Sequence, residues 1–146
     1  METVRKILAD SLPADIREKF FIRCEHLVSQ LNYFDEKGDE RLRHVRRAGW
    51  TIKKLRVVLV LNAFYQIVLA PLASSARPTD DSFVSRVDVV YGSSFVFDAE
   101  WRTAINRTYN VFTEMVGRLG ITERFLTQQR TEDILYQISR TVEDHD

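Results

Sequence analysis

The chain has 146 residues, 45% of them apolar, with 21 basic residues balanced by 21 acidic ones. That length fits one helical domain, 1–146, with a real core, and the composition excludes a disordered chain. Five glycines and three prolines are too few for long flexible linkers, and a single cysteine excludes an intrachain disulfide.

The first element is a short helix from Thr3 to Ala9, with Val4, Ile7 and Leu8 on one side. Acids interrupt every apolar run in "METVRKILADSLPADIREKF", so it does not read as a secretory signal. Ser11-Leu12-Pro13 is a helix start signal. Beyond it, Ile16, Phe20, Cys24, Leu27, Leu31 and Phe34 recur at helical spacing. The spacing predicts one helix over 13–35, stopped by Lys37-Gly38-Asp39.

A second helical pattern runs from 39 to about 70, through Leu42, Val45, Gly49, Ile52, Leu55 and Leu59, with Gly49 as a point of kinking. Uninterrupted, it would be a rod of roughly 50 Å. Paired with 13–35 it predicts a long antiparallel helical hairpin as the spine of a mainly α helical bundle. Pro71 and "PLASSARPTDDS" end it. In "SRVDVVYGSSFVF", alternating apolar residues predict a short β-hairpin or extended insertion near 86–97. Asp98 is placed to cap a helix whose apolar face is Trp101, Ile105, Phe112, Met115, Val116 and Leu119, with Gly120 as its stop. Thr122 or Thr131 opens a last helix with Ile134, Leu135, Ile138 and Val142 on its face.

The charge is not evenly spread. No acid lies between Glu40 and Asp80, while Arg41, Arg43, Arg46, Arg47, Lys53, Lys54, Arg56 and Arg77 are basic. At 100° per residue, Arg43, Arg46, Arg47, Trp50, Lys53 and Lys54 fall within about 120° of arc, opposite Leu42, Val45, Ala48, Gly49, Ile52 and Leu55. These six residues are the candidate anion- or partner-binding site. Three readings compete for the face: a solvated surface offset by Asp35, Glu36, Asp39 and Glu40; contact with an anionic membrane surface; or phosphate contact in nucleic acid, with Trp50 stacking on a base.

The stretch from Val57 to Ala73 is apolar nearly all round, so it is a membrane segment or the central helix of a bundle. It is short for a span, and Asn62, Tyr65, Gln66 and Pro71 interrupt it, which favours the bundle; a buried strand is the minor alternative. Asn62 and Gln66, four apart, share one helix face and can hydrogen-bond to a neighbour.

Catalytic signatures are missing from the sequence. Cys24 and His26 do not share a helix face, so "CEH" is no metal pair, and Cys24 reads as a core residue. There is no phosphate loop, zinc motif or nucleophile elbow. Asn106-Arg107-Thr108 matches the glycosylation sequon by chance. The expectation is a non-catalytic structural or assembly protein, cytoplasmic or membrane-associated, with no cofactor and no small-molecule substrate. It forms a homo-oligomer or joins a larger assembly, because the apolar stripes exceed what one small bundle hides. Its basic helix face contacts an anionic membrane surface or an acidic protein. The alternative is a nucleic-acid-binding module using residues 41–56, and an enzyme without a recognisable motif comes third.

Overall fold

Where the helices stop is decided by a few residues that cannot continue them. The computed structural model describes residues 2–10, 12, 14–70 and 99–145. Among these the protein is mainly helical, without a strand. The helices are α1 (Glu2–Ala9), α2 (Ala14–Glu36), α3 (Glu40–Arg47), α4 (Ile52–Phe64) with a π-helical extension (Tyr65–Leu69), α5 (Ala99–Leu119), α6 (Glu123–Leu126) and α7 (Thr131–His145). The insertion anticipated near 86–97 lies outside the described residues.

Residues 16–34 lie in one helix, α2, as the apolar spacing predicts. Phe20, Cys24, Leu27 and Leu31 are buried, and Ile16 and Phe34 pack half-buried against the same core. At its amino end Arg17 donates to the carbonyls of Ala9 (3.2 Å) and Leu12 (2.9 Å), fastening the end of α1 to the start of α2. At its carboxyl end Gly38 takes φ +68°, and the Asp39 N–H donates back to the Phe34 carbonyl at 3.0 Å. This is a Schellman closure, which satisfies carbonyls the last turn would leave open.

The helix expected to run unbroken from 39 to 70 does not form. It is two helices, α3 and α4, separated at residues 48–51. Gly49 has φ +101°, a backbone angle that side chains with a Cβ strongly disfavour. The Trp50 N–H donates to the Val45 carbonyl at 3.1 Å, closing α3 as Asp39 closes α2. Thr51 then caps α4 by accepting the Lys54 N–H at 3.1 Å. Periodicity passed through this point because apolar positions keep helical spacing on both sides of the break.

The break lets α3 lie against α7 while α4 enters the core. Every residue from Val57 to Tyr65 is buried, and α4 touches α1, α2, α5 and α6. The apolar run is therefore a central helix and not a strand. No helix among the described residues is long and apolar enough to cross a membrane. Phe64 anchors the centre, edge-on to Phe20 at 5.9 Å and tilted against Phe112 at 5.5 Å. Thr122 and Thr131 both open helices: Thr122 precedes α6, and Thr131 begins α7, where its hydroxyl donates to the Leu27 carbonyl of α2 at 2.8 Å.

Candidate anion-binding face

The basic segment is held in place by its first residues. Asp39 caps α3, accepting the Arg41 N–H at 2.9 Å. Both of its carboxylate oxygens also accept from the Arg41 guanidinium, at 3.0 and 2.8 Å. That hydrogen bonding, more than the nearby charges of Arg41 and Arg43, holds the Asp39 carboxyl below the usual carboxylate range. Arg41 is raised in turn, chiefly by Asp39 and more weakly by Glu132 and Asp133 at the start of α7. Its guanidinium also lies over the Phe34 ring at 5.1 Å. Arg41 is thus committed to the fold. Leu42 and Val45 are buried on the side of α3 that meets the core.

The six candidate residues do not share one helical arc. Arg43, Arg46 and Arg47 project from α3, and Lys53 and Lys54 from the first turn of α4, across the corner at Gly49. All five are exposed. Arg46 turns toward α2 and pairs with Asp35 at 3.2 Å. Arg43, Arg47, Lys53 and Lys54 have no ion-pair partner among the described residues. Trp50 is not the exposed centre of the face. It is half-buried and packs against the core, in the position just after a Schellman glycine where an apolar residue folds back on its helix. Acids thus offset Arg41 and Arg46, while the other four cations project into solvent.

Arg43 and Arg47, four residues apart, share a side of α3 and line an open cleft of about 350 Å³ with Glu40, Arg41, His44 and Ser139. Ser139 comes from α7, which packs beside α3. No sequence signal marks Ser139, because nothing in the pattern says that the last helix lies against the third.

The buried polar residues have a structural role. Asn62 is fully buried, and its Nδ2 donates toward the carbonyls of Phe125, Leu126 and Gln128 at 2.9, 3.0 and 2.9 Å. Gln66 Nε2 donates to the Leu126 carbonyl at 2.7 Å, and its Oε1 accepts from Gln129 at 3.2 Å. The pair satisfies the open carbonyls of α6, across a helix interface as their spacing predicts. Burial pushes the Cys24 thiol from 9.0 up to about 12, with Arg5 lowering it and Glu25 raising it by smaller effects, so it stays protonated at neutral pH.

Comparison of the chain with family models, with curated proteins and with solved structures finds no match.

Proposed function

We propose that the protein is a non-catalytic assembly subunit, working inside the cell, whose α3–α4 corner docks on an acidic protein surface. The observation that carries this reading is four exposed cations, Arg43, Arg47, Lys53 and Lys54, with no ion-pair partner among the described residues. Clustered like charges repel, and a partner of opposite sign both relieves that repulsion and steers the encounter. An acidic protein fits this corner better than a bilayer, because no large apolar side chain between Glu40 and Arg56 is exposed to enter the headgroup layer. It also fits better than a nucleic acid, because Trp50 is half-buried and packs against the core instead of standing exposed at the centre of the basic face. Self-association belongs to the same reading, with Ile7 and Ile22, exposed on α1 and α2, as its apolar contacts.

The test sets immobilised polyglutamate beside anionic liposomes and single- and double-stranded oligonucleotides at low salt. Wild type is expected on polyglutamate, with retention that falls steeply as salt rises. Arg43→Glu with Arg47→Glu should lose that retention and keep its helical circular dichroism, since both side chains are exposed. Indifference of the wild type to all of these polyanions would remove the basic corner as a contact surface. Retention on liposomes or oligonucleotides alone would replace the acidic protein as partner.

A further inference from the structure

Resting on that reading, we infer that the α3–α7 cleft takes a phosphomonoester, presented as a phosphorylated side chain on the acidic partner. Of its six lining residues, Arg41 is occupied by Asp39 at 2.8 Å. That leaves Arg43 and Arg47 as the cationic donors, with Ser139 lining the cleft from α7. One guanidinium already saturates the two oxygens of a carboxylate with a bidentate pair. A phosphomonoester carries close to two charges at neutral pH and three terminal oxygens. It accepts from both arginines and from a hydroxyl at once, and its charge matches the two guanidiniums that lack an ion pair. The two arginines are one helical turn apart, so they repel when the cleft is empty and converge on a single tetrahedral anion.

Glu40 lines the same cleft one turn nearer the start of α3 and opposes any anion there. Attraction to the arginines and repulsion from Glu40 both scale with the charge of the anion, so Glu40 lowers the affinity for every anion and most for a dianion. Glu40→Gln should therefore strengthen phosphate binding and widen the preference for a dianion over a monoanion.

The experiment is an amide and arginine-side-chain NMR titration of the full chain with O-phosphoserine. Succinate, a dicarboxylate of similar charge, is the control at matched ionic strength. O-phosphoserine should shift Arg43, His44, Arg47 and Ser139 together and bind at least about fivefold tighter than succinate. Replacing Arg43 or Arg47 by Gln should weaken it about tenfold, as expected for one charge-assisted hydrogen-bonded contact. Ser139→Ala should weaken it a few-fold without changing the preference over succinate. Vesicles containing phosphatidic acid form a second arm, because a lipid headgroup carries the same chemistry. Equal binding of O-phosphoserine and succinate, shifts centred outside the cleft, or binding to the vesicles alone would each overturn the assignment. If polyglutamate still retains the wild type while O-phosphoserine shifts nothing, the cleft fails and the basic corner stands. If both fail, the corner fails with it.

Discussion

Cys24 is the residue where burial has the clearest energetic signature. Its thiol is held at about 12 in the folded protein, while in the unfolded chain it ionises near its ordinary 9.0. Between those values the unfolded chain releases a proton that the folded chain keeps. The contribution is fully present below the ordinary value and is lost as pH rises toward the folded one, by at most ~1.4 kcal/mol per pH unit. Urea unfolding at pH 8 to 10.5 should therefore show a steeper loss of stability in wild type than in Cys24→Ala. Parallel slopes would mean that the thiol is not shielded. The core role of this cysteine was legible from its place in the stripe of α2. The companions of Arg43 and Arg47 were not, since Ser139 lies 92 positions beyond Arg47 by the numbering and becomes a neighbour only when α7 docks on α3.

At the scale of elements, the decisive feature is the corner between α3 and α4. Periodicity predicts the face of α2, whose Phe20, Cys24, Leu27 and Leu31 are buried with Ile16 and Phe34 half-buried at its ends, whereas α4 is buried on every side from Val57 onward. It does not count hydrogen bonds, so it cannot see that three residues, Gly49, Trp50 and Thr51, close one helix and cap the next. The signal was present in Gly49 followed by an apolar residue and a threonine, the same order of glycine and apolar residue that closes α5 at Gly120-Ile121. A Cβ at Gly49 meets nothing within 4 Å, so the cost of substitution is conformational and not steric. Gly49→Ala should destabilise the protein by about 1–2 kcal/mol in a urea titration. A neutral or stabilising result would mean that the corner relaxes to a continuous helix, which would also pull Lys53 and Lys54 onto the arc of Arg43 and Arg47.

For the whole molecule, the hydrogen bonds from Asn62 and Gln66 to the 125–129 turn have a consequence for how the protein can be divided. They join two stretches sixty or more positions apart. The same division is bridged by α4 on α5 and α6, by α3 and α2 on α7, and by Thr131 on Leu27. Contacts of this density across one cut are what a noncovalent complex needs. The fragments 1–70 and 99–146, expressed separately and mixed, should therefore reconstitute a helical complex with one cooperative melting transition. Asn62→Ala in the first fragment removes the side-chain donor of the Phe125 carbonyl, while Leu126 keeps Gln66, and should weaken reassembly by roughly 2 kcal/mol, about thirtyfold in dissociation constant. Isothermal titration of one fragment with the other measures both values. Asn62 is in that sense a clasp between two half-proteins.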